Sequence, residues 1–343
     1  MIDMGVLPMK KFLTTTVLGI GALAAGQAMA ASVSQGMGYA IGSNGYDLFS
    51  YNDLTNPVPP SEATFLRENG TLTAVDAITY RPNTGGLFAY KNDGNRVFSI
   101  DVASGALTEV AVGMGTAADG QNNAGAPVET TTRNIGFDFN NALDAARIVS
   151  TNEENLVFFP TPTRDPAEII RANDLFYVPG DANAGVDANV FANAYTNAVP
   201  KDQVNAATQV QYVLDSELDI LATLGNNTGE LRTLGKLFVD GMALDFSNVG
   251  GFDILSPASD DNLGLALLNV GEESNLYSFE LPGEAGDIQA TLVSNFGEGF
   301  GSFTVMSNGT AAPVPAPVPL PASALLLAAG LGGFGALRKF RRT

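Results

Sequence analysis

From Ser32 to about Gly309, short apolar runs alternate with turns rich in glycine, asparagine and aspartate. No stretch keeps an amphipathic helical period. The nearest candidate, Asp202 to Leu221, contains Gln209-Val210-Gln211-Tyr212-Val213-Leu214-Asp215. There valine and tyrosine alternate with polar residues, which favours a strand. The clearest unit is Ala77 to Val112, AITYRPNTGGLFAYKNDGNRVFSIDVASGALTEVAV. Strands are predicted at Ile78–Tyr80, Leu87–Tyr90, Arg96–Asp101 and Leu107–Val112, with a hairpin signal at Asn92-Asp93-Gly94-Asn95. Four antiparallel strands in so short a segment match a propeller blade.

Weaker copies of this unit flank it. They run over Tyr39–Leu66 (GYDLFSYND), Ile135–Ile170 (IGFDFNN, ARIVST, NLVFFP), Tyr195–Leu237 (TQVQYVLD, LDILATL, GELRTLGKL) and Phe252–Phe296 (FDILSP, LGLALLN, NLYSFEL, IQATLVSNF). The pattern predicts an all-β fold, a β-propeller-like repeat of about five or six four-stranded blades. A β-sandwich is the alternative architecture. A late strand, Ser302 to Met306, is positioned to close a ring by pairing with the first blade, which would hide sheet edges. The polar stretch Gly113 to Thr132 leaves the blade count open.

The two ends follow a different pattern. Lys10 and Lys11 precede an apolar run from Phe12 to Gly26, and Ala28-Met29-Ala30 supplies small residues at cleavage spacing. This is the design of a secretory signal peptide covering residues 1–30, cut after Ala30 by signal peptidase following passage through the Sec machinery. At the other end, residues 310–322 form a proline-rich linker expected to be an extended spacer. It contains Val318-Pro319-Leu320-Pro321-Ala322. Residues 323–343 hold an apolar run, SALLLAAGLGGFGAL, followed by Arg338, Lys339, Phe340, Arg341 and Arg342. As a helix the apolar run would rise only about 22 Å, against a hydrocarbon core of about 30 Å. It is a marginal transmembrane helix whose basic tail would stay cytoplasmic.

The order VPLPA, short apolar helix, RKFRR resembles the VPLPA-type variant of the PEP-CTERM sorting signals. That resemblance implies processing by an exosortase-like transpeptidase, with the C-terminal helix as a transient hold in the inner membrane. The body, taken as residues 32–309, resembles the DUF4394 domain of bacterial secreted proteins. The matching phrases are ITYRPNTGGLFAY, SIDVASGALTEV, IGFDFNN, ARIVST, PGDANAGVDANVFANAYTN, GELRTLGKL and GFDI. This second resemblance implies a propeller-like fold and an exported context, and it implies no reaction.

Composition narrows the chemistry. The 343 residues include no histidine, cysteine or tryptophan. A Ser-His-Asp or Cys-His nucleophile cannot be assembled, and zinc, haem and iron–sulfur clusters lose their usual ligands. Carboxylate chemistry and oxygen-liganded cations remain. The formal charge is −19, and outside the two terminal segments 11 basic residues face 35 acidic ones, a net of −24. Such a body is repelled by phosphate backbones, so nucleic acid is not an expected partner.

Asp181, Asn183 and Asp187 in GDANAGVDAN stand at near-alternate positions around Gly185, as in calcium loops, although position 192 is alanine where a closing glutamate would sit. Calcium is therefore the candidate ion. The alternative is an Asx-rich loop that caps its own backbone. The acidic pairs Asp260-Asp261 and Glu153-Glu154 raise the alternative of a carboxylate-dependent secreted hydrolase. Phe88, Tyr90, Phe98, Phe158, Phe159, Tyr277 and Phe279 lie on predicted strands and are expected to pack between blades. The reading as a whole is an exported, surface-displayed or secreted protein, non-enzymatic, that binds envelope polysaccharide or protein.

Overall fold

The computed structural model describes residues 33, 36–57, 63–113, 134–297 and 299–307. The two terminal segments, with Ala28, Ala30, the 318–322 motif and Arg338, Lys339, Arg341 and Arg342, lie outside the described residues. Among those described, no helix is long and apolar enough to cross a membrane.

The strands form five four-stranded antiparallel blades among the described residues. From the axis outward, blade 1 comprises Phe300–Ser307, Gly36–Gly42, Asp47–Tyr51 and Thr64–Phe65. Blade 2 comprises Ala77–Arg81, Gly86–Lys91, Arg96–Asp101 and Ala106–Val112. Blade 3 comprises Ile135–Asn140, Ala145–Ser150, Asn155–Phe159 and Glu168–Arg171. Blade 4 comprises Val190–Tyr195, Gln211–Asp215, Ile220–Gly225 and Glu230–Val239. Blade 5 comprises Gly250–Ala258, Asp261–Val270, Glu273–Phe279 and Ile288–Gly297.

The innermost strands pack against one another in a closed circuit, and the last strand of the chain completes it. That strand pairs with the first one in the register Met37↔Met306 and Tyr39↔Thr304. The ring rules out the sandwich. The Asn-Asp-Gly-Asn hairpin forms as predicted, with Gly94 at φ 81° and Asn95 at φ 50°, the left-handed backbone that these residue types tolerate.

Alternation along each strand sends apolar side chains to both faces of a blade, so each gap between neighbouring blades becomes a core. There are five such cores, one for each gap. Ile41, Ile78 and Phe98 fill the gap between blades 1 and 2. Phe88, Tyr90, Phe137, Phe139 and Phe158 fill the next. Val149, Tyr177 and Val213 lie between blades 3 and 4. Phe191, Phe252, Tyr277 and Phe279 lie between blades 4 and 5. Tyr51, Phe296, Phe300 and Phe303 close the circuit between blades 5 and 1. Six of the seven aromatics expected to pack between blades do so. Phe159 is instead half-buried, with the Arg164 guanidinium 4.2 Å over its ring.

Outer edges are covered as well. The outer strand of blade 4 pairs in parallel with that of blade 5, at Leu237↔Ile288, and Arg67–Glu68 lies along the outer strand of blade 2. Covered edges do not recruit other chains.

Candidate functional site

In a propeller the inner edge of every blade faces the axis with no further strand to pair with. Its backbone amides still need partners. Here the neighbouring blade supplies them from side-chain oxygens. Ser302 Oγ of blade 1 accepts from the Ile78 amide of blade 2 at 3.1 Å. Thr304 Oγ1 accepts from the Tyr80 amide at 3.0 Å. Asp138 Oδ2 of blade 3 accepts from the Tyr195 amide of blade 4 at 2.7 Å. Asp253 Oδ2 of blade 5 accepts from the Val305 amide of blade 1 at 2.7 Å. Ser256 Oγ of blade 5 accepts from the Ala198 amide, just beyond the inner strand of blade 4, at 2.9 Å. Two hydroxyls then tie the carboxylates into a belt. Thr79 donates to Asp138 Oδ1 at 3.1 Å, and Thr304 donates to Asp253 Oδ2 at 2.6 Å.

Both aspartates are buried, at 6% and 4% exposure. Burial raises the Asp138 carboxyl well above the usual carboxylate range, and the charge of Asp253 adds to the rise. Burial likewise raises Asp253 to about 6, against the hydrogen bonds from Thr304, Val305 and Ile254 that pull it down.

Each aspartate is preceded by the same two residues, as Gly136-Phe137-Asp138 and Gly251-Phe252-Asp253. The glycine allows close approach of the next inner strand. A Cβ at Gly136 would come within 2.5 Å of Asn193 Oδ1, and one at Gly251 would fall on the Phe303 backbone nitrogen. The phenylalanine enters an inter-blade core, and the aspartate clamps the next blade. Beside the two glycines lies a small axial cavity, lined also by Ile78, Asn193 and Ser302.

The residues singled out from sequence lie elsewhere. Asp181 Oδ1 accepts from the Asn183 amide at 2.9 Å and from Thr233 Oγ1 at 2.6 Å, and Oδ2 accepts from the Thr233 amide at 2.8 Å. Asn183 Nδ2 donates to Thr233 Oγ1 at 2.9 Å. The two residues thus pin their loop to the outer strand of blade 4, while Asp187 is exposed. Among the described residues no group of three or more acidic side chains gathers as a metal cluster.

The two acidic pairs do not act as pairs. Glu154 bonds Ser150, whereas Glu153 accepts from the Ala188 amide at 3.2 Å. Asp260 bonds Thr208 and Asn205, and Asp261 is exposed. Asp138, Asp253 and Asn193 had not stood out from the sequence. The repeated Gly-Phe-Asp tripeptide was the signal that marks the first two.

Residues 49–303 match the family described as a domain of unknown function, DUF4394. The chain belongs to this family. The matched span of the DUF4394 domain includes Asp138, Asn193, Asp253 and Ser302, and Thr304 lies one residue beyond it. No curated protein matches the chain. Among solved structures it is similar to a chain in the nidogen/laminin complex, at 9% identity and TM-score 0.43, over 79% of this chain and 97% of that one. It is also similar to an auxiliary nutrient binding protein from Bacteroides thetaiotaomicron VPI-5482, at 13% identity and TM-score 0.38, over 66% and 55% of the two chains. A hemopexin fold protein from cow pea shows 11% identity and TM-score 0.35, over 65% of this chain and 92% of that chain.

Proposed function

We propose that this DUF4394 protein is an exported, surface-displayed or secreted platform that binds an envelope polysaccharide or protein and catalyses no reaction. The reading rests on how the acids are used. The two buried carboxylates at the axis are spent on backbone amides of neighbouring blades, and in the adjacent acidic pairs Glu153, Glu154 and Asp260 are each hydrogen-bonded within the fold. The basic side chains are largely consumed too: Arg81, Arg96, Arg164 and Arg171 all sit in ion pairs. The surface left for a partner is therefore acidic, which suits neutral glycans, basic proteins or cation-bridged polymers. Export through the signal peptide and release or transfer near Val318–Ala322 belong to the same proposal.

Two measurements test it. Mass spectrometry of protein recovered from cell fractions is expected to find a mature N-terminus after Ala30 and a C-terminus near the 318–322 motif, outside the cytoplasm. An uncut cytosolic chain overturns the export reading. A glycan and envelope-protein array probed with the recovered protein is expected to give saturable binding without turnover. Hydrolysis abolished by Glu153→Gln or Asp261→Asn would instead establish an enzyme.

A further inference from the structure

Two Asn-Gly steps fall among the described residues, Asn44-Gly45 and Asn69-Gly70. Both sit in tight turns, with Gly45 at φ 81°, Gly70 at φ 82° and Asn69 at φ 50°. An asparagine side-chain carbon is open to attack by a following glycine nitrogen, because glycine carries no side chain to shield it. What holds the two turns differs.

Asn44 is half-buried and its side chain is fully engaged. Its Oδ1 accepts from the Tyr46 and Asp47 amides at 3.0 and 3.1 Å, and its Nδ2 donates to Asp47 Oδ2 at 2.6 Å. The Gly45 amide donates to the Gly42 carbonyl at 2.8 Å, so the attacking nitrogen is held as well. Asn69 and Gly70 are both exposed. Among the described residues neither the Asn69 side chain nor the Gly70 amide has a hydrogen-bond partner. A Cβ at Gly70 would meet nothing within 4 Å. Behind this tip stand two ladder pairs, Arg67↔Leu72 and Glu68↔Thr71. So short a hairpin frays readily, and fraying lets the peptide between Asn69 and Gly70 rotate into line for the attack.

We propose that Asn69 is a site of spontaneous deamidation, an ageing position in the segment that covers the edge of blade 2. The Gly70 nitrogen bonds to Asn69 Cγ and gives up its proton as the side-chain nitrogen leaves as ammonia. The product is a five-membered imide. Water then adds at either ring carbonyl and breaks that carbonyl's bond to nitrogen, giving aspartate or its β-linked isomer. Either product sets a new carboxylate beside Glu68, which pairs with Arg96 and lies along the outer strand of blade 2. This inference is independent of what the surface binds.

The full chain is incubated in mildly alkaline buffer and sampled by peptide mass spectrometry. Freeing Asn44-Gly45 breaks four hydrogen bonds, each worth about a fivefold factor, so Asn69 is expected to deamidate roughly a hundredfold faster or more. In denaturant the two steps are expected to react at comparable rates, which places the difference in the fold. Asn69→Gln should keep the fold and lose the modification, because the larger ring that glutamine must form closes slowly. Equal rates at Asn44 and Asn69 in the folded protein overturn the assignment. So does an unmodified Asn69 after a period in which the denatured chain deamidates.

Discussion

Blade 3 turns two unlike faces to its neighbours. Toward blade 2 it presents Phe137, Phe139, Ile148 and Phe158, which meet Phe88 and Tyr90. Their rings sit 5.6 to 6.5 Å apart in tilted and edge-on pairs. Toward blade 4 the alternate positions of the same strands present Asp138, Arg147 and Asn155. Arg147 donates to Asn155 at 2.7 Å and, across the gap, to Asn227 at 2.9 Å, and Asn155 donates to the Asn226 carbonyl at 2.9 Å. Both faces are buried, so hydrophobic burial alone does not distinguish them. The aromatic face supplies area that is indifferent to small shifts. The polar face works only in one register, because each bond has a fixed partner. It is also incompletely satisfied: Arg147 Nε, and both amide atoms of Asn193 and of Gln211, have no protein partner. One face holds the blades together, and the other fixes their alignment.

The largest effect belongs to the aromatic face. Phe158→Ala should cost about 3–5 kcal/mol in denaturant unfolding, through lost burial and the cavity left behind. A loss below about 1 kcal/mol would show that this face is not the adhesive one.

Next comes the pH response of the axial belt. The folded-state pKa of Asp253 is about 6, against an ordinary value of 3.8. The folded protein therefore holds its proton more tightly than the unfolded chain. The contribution is fully present below pH 4 and is lost as pH rises through 6, by about 3 kcal/mol in all. Unfolding free energies from pH 4 to 7 should show wild type losing stability relative to Asp253→Asn as pH rises. Parallel curves would remove the belt from the account.

Gln211→Met deletes two unpartnered buried atoms from the polar side of blade 4. It should gain up to about 2 kcal/mol, read by the same unfolding assay. A clear loss would mean that buried waters satisfy the glutamine. The smallest effect belongs to the rim, where Arg96 pairs with Glu68 in partial exposure. Glu68→Gln should change stability by no more than about 1 kcal/mol.

Much of this architecture is legible in the residue pattern. Arg96–Asp101 falls where hydropathy and turn signals place it, and the other strands of blade 2 differ from expectation by a residue or two at their ends. The closing strand is longer than expected, Phe300–Ser307, and it is the innermost strand of its blade. Period-2 alternation and Asx-Gly turns carry these readings because both are local. The axial belt is not local. Asp138 and Val305 belong to different blades, and only ring closure decides that an aspartate in the middle of an apolar phrase meets a distant amide. The Gln211–Asp215 strand shows the same limit. Its alternation suggests one solvated face, yet all five residues are buried, because a second blade covers the polar side.

The ring cannot close until its final strand is available. Gly36 and Ser307 are cross-strand partners, so blade 1 lacks its innermost strand until residues 300–307 have emerged. During synthesis the four other blades can form while the assembly stays open. Ring closure is thereby the last step of assembly, because the strand that completes blade 1 is the last to be made.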